Sequence, residues 1–272
     1  MKKHISTIFL FLILIVGLSL ILYPTFSDWW NTMHTSHAIA GYDSVMAEMT
    51  EDEFGHLFDA ATVYNENLRR INYPLMYYDQ VEGYHELLNI AGNGIMGYID
   101  IPKISVQLPI YHGTSEGVLQ VAVGHVEGTS LPTGGESTHA VFSAHRGLPS
   151  ARLFTDLDKL AIGDTFTVTV IDRVMTYEVD QILVVHPHEV EPLYVVDGED
   201  HVTLVTCTPY GVNTHRILVR GVRIENPEEA KVIRVTADAA QVDPILVAPV
   251  LAAPILLLLL IVILIPKRKQ KL

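Results

Sequence analysis

The single cysteine of the chain, Cys207, is the residue whose type and position point most directly to chemistry. It closes a run, residues 201–207, in which successive side chains alternate between two faces, as in a β-strand. Pro209 and Gly211 follow and end the strand, so we expect the thiol where a rigid strand meets a loop. That place suits a nucleophilic thiolate, and the alternative is a small buried hydrophobic residue.

A cysteine nucleophile needs a proton partner, which is most often a histidine. The chain has 13 histidines, so residue type alone selects none of them. His145 is the preferred candidate, because it follows the apolar strand 140–142 and enters a loop. His125 and His215 remain open as alternatives.

An arginine is the third candidate member of the site. A strand that begins near residue 215 follows Cys207, and antiparallel pairing of the two strands would bring Arg216 near the thiol. A guanidinium there favours a thiolate and can hold a developing oxyanion. Arg220 lies on the same strand face and is the rival, and an ordinary exposed arginine is the alternative for Arg216.

The elements that must position these residues are mainly β-strands. From Gly94 onward, short runs rich in Val, Ile, Thr and Tyr are separated by Gly, Pro and Asp, which predicts a closed or sandwiched β-structure. Helix-like spacing precedes them at 57–70 and 84–90, and a helical insert is predicted at 149–160. The predicted strands are 96–102, 106–111, 140–142, 165–171, 175–185, 202–207 and 216–224.

Two long apolar runs, one near each end, predict membrane-spanning helices. Residues 5–23 carry no charge and would form a helix of ~28 Å, enough to cross the hydrocarbon core. Residues 245–265 form the second run, and a basic tail, residues 266–272, follows it. Because positive flanks stay in the cytoplasm, we expect both termini, including residues 1–4, inside and the central domain outside. A cleaved signal peptide is the alternative for the first run.

Composition excludes several classes of protein. The chain has 18 basic and 31 acidic residues, a net charge of −13 and a mean hydropathy of +0.28, which argue against a soluble cytosolic enzyme and a nucleic-acid-binding protein. A lone cysteine cannot form an internal disulfide. The acidic residues are scattered without the spacing of a calcium loop, so neither a metal nor another cofactor is expected.

Several segments resemble one enzyme family. Residues 203–207, Thr-Leu-Val-Thr-Cys, match the Thr-Leu-x-Thr-Cys signature of sortases, the cysteine transpeptidases of Gram-positive cell surfaces. The similarity covers roughly residues 60–225. Three longer segments are similar to class C, the branch that builds pili: 97–104, 124–135 and 206–221. Residues 137–148 match the stretch that bears the family's catalytic histidine.

This resemblance implies both a fold and a domain organisation. The fold would be mainly β: a closed eight-stranded sortase-type barrel over residues 94–225, with short helices. A juxtamembrane and helical segment, residues 24–93, would precede the barrel, and a linker, residues 226–244, would follow it. With a transmembrane helix at each end, the catalytic domain would be held outside the cell membrane.

The resemblance also implies roles and partners. Carried over by position, Cys207 is the nucleophile, His145 the general acid and base, and Arg216 the stabiliser of the oxyanion or substrate. The family attacks the Thr–Gly bond of a Leu-Pro-x-Thr-Gly sorting signal (LPXTG) and resolves the acyl-enzyme with an amine. In class C that amine is typically a lysine of the next pilin subunit.

One motif departs from the class C pattern. Many class C sortases carry a lid marked by Asp-Pro and an aromatic residue, whereas the corresponding residues 71–80 contain no such triplet. Asp28-Trp29-Trp30 is only superficially similar. It adjoins the first apolar run and is better interpreted as an aromatic anchor at the membrane interface.

Three rival functions remain. A sortase that anchors surface proteins to peptidoglycan would share the fold and the three site residues and differ in the acceptor amine. A papain-type hydrolase is disfavoured, because that family places its cysteine on a helix and before its histidine. A membrane-tethered binding or structural domain with an inert Cys207 is the rival from another class.

Overall fold

The structure, a computed structural model, describes residues 2–227. The second apolar run at 245–265 and the basic tail at 266–272 lie outside the described residues. So does all of the predicted linker except residues 226 and 227.

The first helix, α1, extends from Lys2 to Ala47 and continues well beyond the predicted span 5–23. Within residues 2–227 it is the one helix long and apolar enough to cross a membrane. Its C-terminal end is fastened to the barrel by Tyr42, whose side chain is fully buried. The Tyr42 hydroxyl donates to the carbonyl oxygen of Met96 at 3.0 Å and accepts from the backbone N–H of Ile171 at 2.8 Å.

The second helix, α2, runs from Glu51 to Leu68 and packs one face on the barrel. It begins with a capping box, in which Thr50 and Glu53 satisfy each other's backbone N–H groups. Asn65 is buried and exchanges two hydrogen bonds with the backbone of Leu131. The buried apolar residues lie three or four positions apart, as a helix requires: Phe58, Ala61, Tyr64 and Leu68.

The segment between α2 and the barrel is less helical than predicted. A short helix, α3, covers Pro74–Tyr77, but the helix expected at 84–90 is wrong because those residues form turns. Leu88 is fully buried with a φ of 60°, which a right-handed helix does not allow. Burial in the core therefore overrides the helix-like spacing.

Eight strands close into a barrel, as predicted, in the spatial order β1-β2-β3-β4-β7-β8-β6-β5. The β2–β3 and β4–β7 pairs are parallel, and the other neighbours are antiparallel. The strands are β1 (Ile95–Ile101), β2 (Val106–His112), β3 (Val123–His125), β4 (Thr138–Ser143), β5 (Thr165–Val170), β6 (Arg173–Val185), β7 (Asp200–Thr208) and β8 (His215–Ile224).

Two details of the barrel differ from the prediction. Strand β3 has only three residues, too few for alternation to reveal it. The helical insert predicted at 149–160 contains only a 3₁₀ turn, Leu157–Lys159. A further short helix, α4, spans Glu116–Leu119 in the connection between β2 and β3.

The barrel strands separate two apolar clusters. Val202 and Leu204 of β7 belong to the large interior core, whereas Val205 faces outward, as the alternation of residues 201–207 predicts. With partners on β4 and β8 it forms a small outer cluster, defined by Val141, Val205 and Leu218. Cys207 lies two residues beyond Val205, so its side chain shares the outer face.

Candidate active site

The parallel pairing of β4 with β7 places His145 beside Cys207. The ladder ends at Ser143, but the chains stay together because the Thr206 hydroxyl donates to the carbonyl oxygen of Ala144 at 2.8 Å. If the same register continues one position beyond Ala144 and Thr206, His145 lies next to Cys207. Strand pairing thus brings together a histidine and a cysteine that are far apart in the sequence.

The antiparallel pairing of β7 with β8 adds Arg216 on the other side. Cys207 is directly opposite Arg216 in this ladder, and opposite residues point to the same face. Neighbouring strands are ~4.8 Å apart. His145, just beyond the end of β4, therefore lies in one row with Cys207 of β7 and Arg216 of β8, and both the cysteine and the arginine are partly exposed. We call this row of three candidate site residues the catalytic row.

The rival arginine, Arg220, already forms an ion pair with Asp180. Its Nε donates to Asp180 at 3.1 Å, and a second contact completes a two-point ion pair. Arg216 instead donates from Nη1 to the carbonyl oxygens of Asn213 and His215, at 3.2 and 3.0 Å. No carboxylate among residues 2–227 forms an ion pair with it. Arg216 therefore keeps donors available for an incoming oxygen.

The alternative histidines do not face the thiol. His215 pairs with Thr208, one position beyond the catalytic row, so it points to the opposite face. His125 is fully buried, and its Nδ1 and Nε2 lie 2.8 Å from the Tyr84 hydroxyl and the Ser130 carbonyl oxygen. Burial lowers the pKa of His125 to about 4, so it is neutral at pH 7. It fastens the segment before β1 to the barrel.

His139, which the sequence does not single out, holds the β6–β7 connection against the outer face of the barrel. Its Nδ1 lies 3.0 Å from the carbonyl oxygen of Tyr194 in the β6–β7 connection, and its Nε2 lies 2.7 Å from the Thr203 hydroxyl. Burial lowers the pKa of His139 to about 4. From the same connection, Leu193 packs against the outer cluster. His139 therefore helps to hold an apolar surface next to Cys207.

The loop after His145 packs against Tyr210 in the β7–β8 connection. Gly147 has a φ of +77°, and a side chain there would meet the ring of Tyr210 at 2.8 Å. The Arg146 guanidinium lies 5.9 Å from the centre of the same ring and forms an ion pair with Asp158. These contacts restrain the loop that carries the histidine.

Helix α1 also contacts this loop. The Asp28 carboxylate accepts from the backbone N–H of Arg152 at 2.9 Å, and the Asn31 side chain donates to the Ser150 carbonyl oxygen at 2.7 Å. Trp29 and Trp30 remain exposed, which suits the predicted interfacial anchor. The apolar helix and the loop that follows His145 are thus joined directly.

The segment in the lid position, residues 71–80, lies against the β3–β4 connection. A side chain at Gly128 would meet the carbonyl oxygen of Pro74 at 2.5 Å, whereas Tyr77 stays 42% exposed. No hydrogen bond or ion pair joins residues 71–80 to the catalytic row in the described part of the chain. Residues 2–227 also contain no group of three or more His, Cys, Asp or Glu that could hold a metal ion.

Comparison with known proteins identifies the family. A model of the sortase domain matches residues 99–224. The crystal structure of sortase C1 from Streptococcus agalactiae is 49% identical, with a TM-score of 0.66, and the match covers 70% of this chain and 100% of that one. The chain belongs to the sortase family.

Further relatives support the class. Sortase C from Streptococcus pneumoniae is 41% identical with a TM-score of 0.61, over 70% of this chain and 97% of that one. The curated sortase A of Streptococcus agalactiae is 33% identical over 128 residues, 46% of this chain. This chain matches about half of that relative's length, 51%. Both of these solved structures are sortases C, and the class C resemblance is confirmed.

Proposed function

We propose that this sortase is a membrane-anchored cysteine transpeptidase that cleaves the Thr–Gly bond of LPXTG-type signals and joins pilin subunits through a lysine amine. The observation that carries the proposal is the catalytic row, in which Cys207 of β7 is directly opposite Arg216 of β8 and His145 follows the end of β4 on the other side of Cys207. These groups can supply attack, proton transfer and oxyanion stabilisation.

The first half-reaction forms a thioester. The Cys207 thiolate attacks the carbonyl carbon of the substrate threonine, and the negative charge moves to the carbonyl oxygen. Arg216 donates hydrogen bonds to that oxygen. As the tetrahedral intermediate collapses, His145 gives a proton to the departing glycine nitrogen, the C–N bond breaks, and the threonyl group remains on sulfur.

The second half-reaction releases the product. An uncharged lysine ε-amine attacks the thioester carbonyl, and His145 accepts the proton that the nitrogen loses. The C–S bond breaks, an isopeptide bond remains, and the thiolate returns. Splitting peptide exchange in this way replaces one difficult step with two easier ones.

The surroundings of Cys207 fit such a substrate. The outer cluster is buried in line with the thiol, and the partly exposed side chains of Val126, Val185 and Leu193 pack against it. These partly exposed apolar side chains suit the apolar residues of a sorting signal bound as an extended chain. The pneumococcal sortase C is described in terms of pilin substrate specificity, which supports a pilin substrate here.

We propose that α1 anchors the enzyme in the cell membrane, with both termini in the cytoplasm and the catalytic domain outside. Support comes from the length and apolarity of α1 and from the two lysines at its N-terminus. The second span is an expectation from sequence.

Acylation of Cys207 tests the proposal. The full-length chain in detergent micelles is incubated with an LPXTG peptide and examined by intact mass spectrometry, with Cys207→Ala as the control. We expect an adduct that ends in threonine and is absent from the variant. A thiol that iodoacetamide alkylates freely but the peptide never acylates contradicts the substrate class, and a thiol inert to both reagents favours a binding domain.

Supplying an acceptor amine then tests polymerisation. We expect a pilin-derived lysine peptide to resolve the acyl-enzyme faster than a peptidoglycan stem-peptide amine at the same concentration. The reverse preference contradicts pilin joining and favours anchoring of surface proteins to the cell wall.

A further inference from the structure

The imidazole of His145 faces a carboxylate that sequence patterns do not reveal. Its Nε2 lies 3.7 Å from Oε2 of Glu116, the first residue of α4. Nε2 of Gln120, one helical turn further on, donates to Oε1 of Glu116 at 2.6 Å. Gln120 thus holds one carboxylate oxygen and leaves the other facing the imidazole.

A close backbone crossing brings α4 to this position. A side chain at Gly124 of β3 would meet the carbonyl oxygen of Gly113 at 2.4 Å and the side chain of Leu119 at 3.2 Å, so only glycine lets the β2–β3 connection fold this tightly. Gly124 pairs with Ser143 of β4. In the same antiparallel register, residue 122, just after α4, lies opposite His145. The fold thus places Glu116 beside the histidine.

We propose that Glu116 is a positioning residue that selects the tautomer of His145, an inference that rests on the proposed transpeptidase function. An ionised carboxylate only accepts hydrogen bonds, and a neutral imidazole has a single N–H. Glu116 therefore favours the N–H on Nε2. Nδ1, which has no hydrogen-bond partner among residues 2–227, keeps its lone pair for the proton of Cys207 or of the attacking amine.

The same carboxylate stabilises the imidazolium whenever His145 holds both protons. Because the Glu116 side chain is 73% exposed, water and salt screen this effect. We therefore expect Glu116→Ala to lower kcat by about 10-fold, within the range of a weakened general base. KM for the sorting peptide should not change, because Glu116 acts on the imidazole and not on the peptide.

Steady-state kinetics of the full-length chain in detergent micelles distinguish a positioning role of Glu116 from a general effect of surface charge. Glu116→Ala should lose activity, Glu116→Gln should retain part of it through its amide oxygen, and Gln120→Ala should fall between wild type and Glu116→Ala. Glu136→Gln removes one exposed charge that forms no hydrogen bond or ion pair within residues 2–227; it is the matched control and should behave as wild type.

Two kinetic results would overturn the proposal. In a His145→Ala background, Glu116→Ala should cause no further loss, so an additive loss means that Glu116 does not act through His145. A loss confined to KM for the acceptor amine means that Glu116 binds the incoming ammonium instead.

Nitrogen NMR of histidine-labelled protein tests the proposal without turnover. The His145 resonances are assigned by their loss in His145→Gln. We expect Nε2 to be protonated in the wild type and the two tautomers to mix in Glu116→Ala. Unchanged resonances in that variant overturn the role of Glu116 even if the enzyme is active, whereas wild-type inactivity on LPXTG peptides refutes only the proposed substrate.

Discussion

Replacing Arg216 should slow acylation of Cys207 far more than it weakens peptide binding. Arg216 is directly opposite Cys207, so the two backbones are about 5 Å apart, one strand spacing, and the proposed oxyanion contact brings the guanidinium within a similar distance of the substrate oxygen. A unit charge at that distance with an effective dielectric of about 20 contributes roughly 3 kcal/mol. Loss of one oxyanion donor costs about 10²–10³ in kcat in other acyl-transfer enzymes, so both estimates agree.

The assay is single-turnover acylation of the full-length chain by an LPXTG peptide, followed by mass spectrometry. We expect Arg216→Ala to lower the rate about 10²–10³-fold. Arg216→Lys should recover part of the loss, because the charge returns without the two-point fork. Arg220→Ala is the matched control and should stay within a few-fold of wild type, since Arg220 is already paired with Asp180.

A near-normal rate in Arg216→Ala, together with a large loss in Arg220→Ala, would refute this reasoning. It would mean that the Asp180 pair breaks on substrate binding and that Arg220 becomes the oxyanion donor. Circular dichroism of each variant separates a chemical effect from unfolding.

Three other outcomes follow from the structure. Burial lowers the pKa of His125 to about 4 in the folded protein, below its unfolded value of about 6.5. The free energy of unfolding should therefore be highest above pH 6.5 and should fall by up to roughly 3 kcal/mol as the pH decreases towards 4. Denaturant titrations at pH 7 and pH 5 measure this, and no difference in the pH slope between wild type and His125→Asn contradicts it. His139→Phe should raise KM for the peptide about 5-fold, because the Tyr194 carbonyl oxygen loses its hydrogen-bond partner and the β6–β7 connection is held less firmly against the barrel. An unchanged KM in steady-state assays contradicts that role. Gly147→Ala should reduce turnover about 10-fold through strain at a positive φ and the clash with Tyr210. Tyr210→Ala in the same chain should restore part of the activity, and failure to do so would assign the loss to backbone strain alone.

Much of the site follows from local sequence. A strand that ends in Cys207, a strand-to-loop junction at His145 and a following strand that begins near Arg216 are all short-range patterns, and each is where it was predicted. The faces of the strands also follow, because alternation of side chains sets which face of each strand is buried, whereas closure into a barrel was expected from the family resemblance. Local patterns determine such features because a strand's faces depend only on neighbouring residues.

The conformation of the segment before β1 and the role of His125 depend on tertiary packing. The spacing at 84–90 suggested a helix, yet Leu88 enters the core with a left-handed backbone, since burial outweighs helix propensity there. His125 remained a candidate base in the sequence and proved to be a buried structural residue. Sequence spacing cannot show whether a histidine lies inside a core or at its edge.

The sequence by itself determined the reactive residue types, the strand faces and the family. Only the tertiary structure decided that Arg220 is paired with Asp180 while Arg216 forms no ion pair within residues 2–227, that Glu116 meets His145, and that Asp28 of α1 contacts the loop beyond it. Each of these contacts joins segments that are distant in the chain. They exist because strand register and the tight crossing at Gly124 fix distances that no local pattern encodes.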